Sequence, residues 1–122
     1  MANELTITGS LRFIKGSSKF ERNPGTLQFD VSGSPFAAGA QSIGTATHEA
    51  IAMNDVATAG WYFFRNLDQT NYVEVGKDVG GTFHAFLKLE PNETSTGRLA
   101  LNAPYAKANT GACVLEYGIL SD

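Results

Sequence analysis

The residues whose types and spacing come nearest to a ligand site are Asn66, Asp68 and Asn71, in the segment NLDQTN between GWYFF and YVEVG. Their side-chain oxygens would suit calcium, but a calcium loop supplies more carboxylates at regular spacing and ends on a bidentate glutamate. Glu74 follows within an alternating segment that predicts a strand. Asparagine and aspartate side chains also bind neighbouring backbone groups in turns. We therefore interpret Asn66, Asp68 and Asn71 as structural turn residues and predict no metal and no other cofactor.

The other residues that could do chemistry are isolated from one another. His48 and His84 have no Cys, His or Asp at the spacing of a zinc site. Glu49 would point to the opposite face of a strand from His48. The chain has no nucleophile-elbow motif and no phosphate-binding loop, and Cys113 lies in the apolar run GACVLEYGIL, as a buried hydrophobic residue would. We predict that the protein is not an enzyme.

The composition predicts one globular domain over residues 1–122, with 43% hydrophobic and 17% charged residues. The net charge of −3 is not the basic footprint of a nucleic-acid-binding protein, so we predict no nucleic-acid partner. We expect no membrane partner, because no apolar run approaches the roughly 18 residues of a spanning segment. The opening MANELTITGS lacks the apolar core of a signal peptide, which predicts synthesis in the cytoplasm without secretion by the general route.

Alternation of apolar and polar residues dominates the chain and predicts strands. In TFHAFLKL, for example, Phe83, Ala85, Leu87 and Leu89 would share one face. Leu5, Ile7, Leu11 and Phe13 also alternate with polar residues around Gly9 and Ser10, as in a half-buried strand. Such segments recur roughly every 10–14 residues, which is typical of sandwiches and barrels. We predict an all-β fold: a two-layer antiparallel β-sandwich of eight or nine strands, with a jelly roll as one arrangement and little or no helix. KGSSKFERNPG and SGSPFAAGAQS are expected to be loops, and SIGTATHEAIAM a longer strand.

Aromatic residues offer a second kind of site. The run WYFF at positions 61–64 must place two rings on each face of a strand. Both faces would then be covered by other parts of the chain, or one face would be an interaction surface. An exposed set of rings could also stack on a sugar. The residues proposed for sugar stacking in that alternative are Trp61, Tyr62, Tyr72 and Tyr105.

Contacts with a partner protein are expected from apolar residues in otherwise polar or small-residue stretches. An N-terminal arm of about residues 1–10 could pair with the sheet edge of another chain. The predicted contact residues are Leu5, Ile7, Phe20, Pro35 and Phe36.

The order of motifs resembles small structural proteins of tailed-phage virions. The similarity rests on GWYFFRNLDQTNYVEVG, then GGTFHAFLKLEPNE, and more loosely on the closing LEYGIL. It covers Gly60–Glu93 well, whereas residues 1–59 match only in being β-like. The sequence departs from the pattern at Asn92, where a Pro-Gly turn would be more usual.

The resemblance implies a virion component without an enzymatic step. Its sharper form is a capsid decoration, or cement, protein on the outer capsid surface, with the major capsid protein as partner and self-association into a dimer or trimer. The alternative is a carbohydrate-binding or structural module of the phage tail, fibre or neck.

Overall fold

A computed structural model describes residues 3–122, and this part of the chain forms strands without helices. The prediction of an all-β fold is confirmed. Met1 and Ala2, the first residues of the predicted arm, lie outside the described residues. In chain order the strands are β1 (Leu5–Thr8), β2 (Leu11–Lys15), β3 (Ser18–Arg22), β4 (Thr26–Phe29), β5 (Phe36–Ile43), β6 (Glu49–Ala50), β7 (Ala59–Asn66), β8 (Val73–Val79), β9 (Thr82–Leu89), β10 (Thr94–Arg98), β11 (Tyr105–Ala108) and β12 (Cys113–Ser121).

The chain divides into two compact units. The first comprises the described residues up to Ser32, and the second is Gly33–Asp122. The first unit contains β1–β4, and the second contains β5–β12.

The second unit is a two-layer antiparallel β-sandwich, as predicted. One four-stranded sheet has the order β10-β7-β12-β5, and the other has the order β6-β11-β8-β9. We call them the β7 sheet and the β8 sheet. The eight strands pair in a nested series, β5 with β12, β6 with β11, β7 with β10 and β8 with β9. That nesting of a long antiparallel hairpin, folded over into two sheets, is a jelly roll.

The sandwich core comes from alternate side chains that point between the sheets. Phe64 and Leu115 of the β7 sheet and Val73 and Val75 of the β8 sheet are fully buried. Tyr117 packs over Gly39 of β5, where an added Cβ would lie 3.4 Å from the Tyr117 hydroxyl. This contact explains the glycine at position 39, and the pairing of Phe36–Ile43 with β12 makes a strand where SGSPFAAGAQS was expected to be a loop.

The first unit is a long two-stranded ribbon. β1 pairs with β4, and β2 pairs with β3. Gly16, with a φ of 58°, occupies the first position of the two-residue turn between β2 and β3, where a left-handed residue matches the strand twist. Three residues, 23–25, lie opposite Gly9 and Ser10, so a bulge of one residue divides the ribbon.

The sandwich has the eight strands β5–β12, within the predicted eight or nine, and the ribbon adds four short strands. Two further expectations about strands were wrong. Ser18–Arg22 is a strand where a loop was expected, since the Gly16 turn folds it onto β2. The predicted strand SIGTATHEAIAM is interrupted, because the Glu49 carboxylate accepts a hydrogen bond from the Gly44 backbone N–H at 2.6 Å and bends the chain.

The expected facing of TFHAFLKL was also wrong. Val75 pairs with Leu87 while the next residue, Gly76, pairs with Ala85, so Phe86 is an extra residue in a β-bulge. A bulge exchanges the faces of the residues that follow it along the strand. Leu87 and Leu89 therefore point into the sandwich, whereas Ala85 and Phe83 point outward.

Candidate functional site

The main candidate site is one face of the ribbon, whose apolar side chains are exposed or half-buried. Residues directly opposite in an antiparallel pair share a face, which groups Phe13 with Phe20 and Ile7 with Leu27. Ile7, Leu11 and Leu27 line one shallow depression, so both halves of the ribbon present the same face. We call it the ribbon face; it comprises Leu5, Ile7, Leu11, Phe13, Phe20, Leu27 and Phe29.

The exposure of the ribbon face is large. Leu11 is 60% exposed, Phe13 48% and Phe20 43%. A two-stranded hairpin in water is marginally stable at best, and contiguous exposed apolar residues usually mark an interaction site. The ribbon face is therefore a candidate interaction surface.

The opposite face of the ribbon is mainly polar. The hydroxyls of Thr8 and Thr26 lie 3.5 Å apart, and the Arg12 guanidinium lies 3.8 Å from the Glu21 carboxylate. Ile14, 52% exposed, is the exception. The ribbon is thus amphipathic, with an apolar face that could be covered and a polar face suited to water.

The tip of the ribbon is basic. Residues 11–22 contain four Lys or Arg residues against the single acid Glu21. The Arg22 guanidinium lies 4.3 Å from the centre of the Phe20 ring, which places a cation against the ribbon face. The tip can therefore contact a partner surface through both apolar and cationic groups.

Hydrogen bonds to the backbone close the base of the ribbon. The Asp30 carboxylate accepts from the Asn3 N–H at 2.7 Å, and the Glu4 carboxylate accepts from the Val31 N–H at 3.0 Å. The bond from Val31 holds the pKa of Glu4 below its ordinary value. These two hydrogen bonds to carboxylates stabilise the paired ends of the ribbon against fraying.

The predicted contact residues fall into two groups. Leu5, Ile7 and Phe20 lie on the ribbon face. Phe36, 64% exposed, lies on the outer face of the β7 sheet opposite Leu120, and Pro35 precedes it with its carbonyl bonded to the Ser121 N–H at 3.0 Å.

Sequence reasoning missed four residues that share the ribbon face: Leu11, Phe13, Leu27 and Phe29. The signal was present, because the alternation of Leu5 and Ile7 continues through Gly9 to Leu11 and Phe13. It was interpreted as a half-buried strand, since period two identifies a face without saying what covers it.

The segment NLDQTN is organised around buried Asn66. The Asn66 amide donates to the carbonyls of Asn71 and Leu89 at 2.8 and 3.0 Å, and its oxygen accepts from the Asp68 N–H at 2.9 Å. These three hydrogen bonds use both amide donors of Asn66 and its side-chain oxygen to hold the backbone. The side-chain oxygen of Asn71 accepts a hydrogen bond from the Thr110 hydroxyl at 2.9 Å.

Asp68 holds the tip of the same turn. Its carboxylate accepts backbone N–H bonds from Asn71 at 2.6 Å and from Thr70 at 2.9 Å. The Asn71 bond, with that of Thr70, lowers the pKa of Asp68 below its ordinary value. Within residues 3–122, no group of three or more His, Cys, Asp or Glu side chains is arranged to hold a metal ion.

Asn92, the departure from the virion-protein pattern, occupies the loop that packs beside this turn. It has a φ of 67°, the left-handed conformation in which asparagine is more easily accommodated than most residues, and its N–H donates to the Asn66 carbonyl at 3.0 Å. Asn92 therefore takes a backbone conformation of the kind that a glycine turn would supply.

The four aromatic residues proposed for sugar stacking lie on three different surfaces. Trp61 is on the outer face of the β7 sheet, and Tyr62 points inward with its hydroxyl 2.9 Å from that of Ser95. Tyr72 lies beneath the Lys88 ammonium at 4.2 Å. Tyr105 is on the outer face of the β8 sheet, beside His48. One sugar ring could not contact all four.

A second cluster surrounds His48 on the outer face of the β8 sheet. The His48 ring stacks on Phe83 with centroids 5.4 Å apart and meets the Tyr105 ring edge-on at 5.3 Å. Its Nε2 lies 2.7 Å from the Asp78 carboxylate. The cluster fastens the segment before β6 to the sheet. His84, the other histidine, lies opposite Lys77 on the inner face.

Cys113 is buried, as its sequence context predicted. Burial raises the pKa of its thiol, which keeps the sulfur in its unreactive protonated form. The Sγ atom lies 3.4 Å from the Asn71 carbonyl, so the thiol is a further contact to the NLDQTN turn.

No protein-family profile matches the chain, and no significant match is found to a curated protein or to a solved structure. The described part of the chain contains no helix with the length and apolarity needed to cross a membrane.

Proposed function

We propose that the protein is a non-enzymatic structural component of a tailed-phage virion, a capsid decoration protein that binds and clamps neighbouring major capsid subunits. The observation that carries this proposal is the ribbon face, an apolar surface that the chain leaves exposed. In this view the capsid subunit supplies the cover, and the jelly-roll unit is a rigid body on the outer capsid surface.

The dimensions of the ribbon suit a clamp. Each long side runs over residues 5–15 or 18–29, which corresponds to an arm roughly 35 Å long at the usual rise of a strand. An arm of that length can reach from one subunit across a joint. Each of its two strands also has one edge available for pairing with a strand of the partner.

The energetics favour many weak contacts over one strong contact. Completing the burial of half-exposed side chains such as Phe13, Phe20 and Leu11 contributes about 1 kcal/mol each, and association itself costs several kcal/mol. A dimer or trimer would engage several joints at once, and this multivalency would raise the effective affinity without new contacts.

The jelly-roll fold is compatible with this function and with others. Jelly rolls occur in viral capsid proteins and also in lectins, and a fold alone does not determine function. The resemblance of Gly60–Glu93 to small virion proteins supports a virion component.

The direct test is binding of the purified protein to phage capsids that lack it. We expect saturable binding and a higher temperature of DNA release, measured by heating with a DNA-binding dye. An unchanged release temperature at saturation would remove the clamping role. The absence of binding would remove the capsid as the partner.

A carbohydrate-binding or structural module of the tail, fibre or neck is the second candidate, and one observation favours sugar binding. On the outer face of the β7 sheet, Phe63 is 40% exposed and lies in one row with Gly118 and Ala38. Trp61 is on the same face, with the Arg98 guanidinium 5.4 Å from its ring centre. Aromatic rings beside small residues leave room for a sugar.

Trp61 is the only tryptophan, so its fluorescence tests this alternative directly. Titration with oligosaccharides of host cell-wall composition should change the emission saturably if the alternative holds. An unchanged emission, together with an empty glycan array, would remove sugar binding and leave the structural roles in the capsid or in the tail, fibre or neck.

A further inference from the structure

A cleft opens between the two sheets of the sandwich where the edge strands β9 and β10 lie. Its volume is about 480 Å³, within the range of small-molecule sites. Nine residues line it: Tyr62, Lys77, His84, Ala85, Phe86, Arg98, Leu99, Ala100 and Leu101. We call it the side cleft.

The side cleft is open because a lysine occupies the inward-pointing position that follows the core residues of β8. Val73 and Val75 point inward and are buried, and the next inward position on β8 is Lys77. His84 lies opposite Lys77 on β9. A lysine at that position cannot join an apolar core without a large desolvation cost, so the sheets do not close there.

The β-bulge at Phe86 shapes the same wall. Gly76 holds the bulge, because an added Cβ would overlap the His84 carbonyl oxygen and lie 2.7 Å from the Ala85 Cα atom. The extra residue, Phe86, lines the side cleft and is 47% exposed. An aromatic ring therefore borders the cleft while remaining accessible to a ligand.

The chemistry of the lining is asymmetric. The apolar part is formed by Tyr62, Phe86, Leu99 and Leu101, whereas Lys77 is the inward-pointing cation and no carboxylate is among the nine residues. The Arg98 guanidinium lies on the outer face of the β7 sheet, 5.4 Å from the Trp61 ring centre and 2.8 Å from the Asp122 carboxylate. Lys77 makes no ion pair with any described residue, so its charge is available to a ligand.

We propose that the side cleft binds a small anionic amphiphile, with its apolar chain against Tyr62, Phe86 and Leu99 and its carboxylate beside Lys77. Charge complementarity with Lys77 favours a negatively charged ligand, and the apolar lining favours a ligand with an apolar chain. This binding site is separate from the ribbon face and does not depend on the capsid role.

The test is an NMR titration of the full-length, isotope-labelled protein with sodium octanoate. Octylammonium and 1-octanol serve as probes with the same chain and a different head group. We expect octanoate to shift the amide resonances of Ala85, Phe86 and Leu99 saturably, with octylammonium binding at least tenfold more weakly. Lys77→Gln should weaken octanoate binding about threefold, as expected for an exposed ion pair.

Lys107→Gln is the matched control, because Lys107 lies opposite Glu74 on the outer face of the β8 sheet. It makes the same change of charge away from the cleft and should leave octanoate binding unchanged. A second variant, Ala100→Phe, should fill the cleft and abolish the shifts. The proposal is overturned if octanoate shifts none of these resonances, if octylammonium or octanol binds as tightly, or if Lys107→Gln weakens binding as much as Lys77→Gln.

Discussion

Phe13 and Phe20 face each other directly across the ribbon, and both rings remain more than two-fifths exposed, at 48% and 43%. Two aromatic rings opposite each other stabilise a strand pair modestly, but at this exposure they do not form a core. Their arrangement gives the ribbon an exposed apolar surface near its basic tip. That relationship underlies the proposed role in assembly.

Asn66→Ala should destabilise the sandwich by about 2 kcal/mol or more. The substitution leaves the Asp68 N–H and the carbonyls of Asn71 and Leu89 without their side-chain partner, and unsatisfied buried groups carry a desolvation penalty. The measurement is urea denaturation of the full chain. Gln69→Ala, an exposed change in the same turn, should stay within about 0.5 kcal/mol of the wild type. Equal stability of both variants would contradict the structural role of Asn66.

The stabilising effect of Asp68 should depend on pH. Because backbone hydrogen bonds lower its pKa in the folded state, its contribution is present above the unfolded-state pKa of about 3.9 and is lost as the pH falls through the lower folded-state pKa. The stability difference between the wild type and Asp68→Asn, measured in urea from pH 7 to pH 2.5, should therefore shrink in acid. A difference that grows in acid would show that the sign is wrong.

Asp68 also allows the structural turn to be distinguished from a calcium site. We expect isothermal titration calorimetry with calcium to show no binding, because the Asp68 carboxylate is already engaged by two N–H groups. Calcium binding that disappears in Asp68→Ala would overturn the interpretation of NLDQTN as a structural turn.

Two glycines should respond oppositely to alanine. At Gly76 a new Cβ would overlap the backbone of β9, so Gly76→Ala should cost about 2 kcal/mol or more. Gly118 has nothing within 4 Å of an added Cβ, so Gly118→Ala should be neutral or slightly stabilising. Thermal unfolding compares the two. If Gly76→Ala unfolds at the wild-type temperature, the bulge does not require glycine.

The fold class followed from the sequence because alternation of apolar and polar residues is a local property. Leu87 and Leu89 of TFHAFLKL were placed on one face, and both point into the sandwich. Phe83 was placed with them and points outward, because the bulge at Phe86 depends on the close approach of Gly76 to β9. No local pattern encodes that approach, since it joins two strands.

The candidate site was predictable only in part for a similar reason. The sequence identifies Leu5, Ile7 and Phe20 as candidate contact residues, whereas the alternation of Leu11 and Phe13 predicts only a half-buried strand. Alternation indicates which side chains share a face, whereas burial depends on what packs against that face. The side cleft was not predicted at all, because the inward direction of Lys77 follows from the register of β8 with its neighbours.

The ribbon face is the central claim, and co-sedimentation with capsids lacking the protein tests it most directly. The variant Phe13→Ser/Phe20→Ser removes both exposed rings and should leave the thermal unfolding of the sandwich unchanged. The control Arg12→Gln/Glu21→Gln changes an exposed pair on the polar face of the ribbon. We predict that the phenylalanine variant loses capsid binding at least tenfold while the control binds like the wild type. Wild-type capsid binding by the phenylalanine variant would contradict the account.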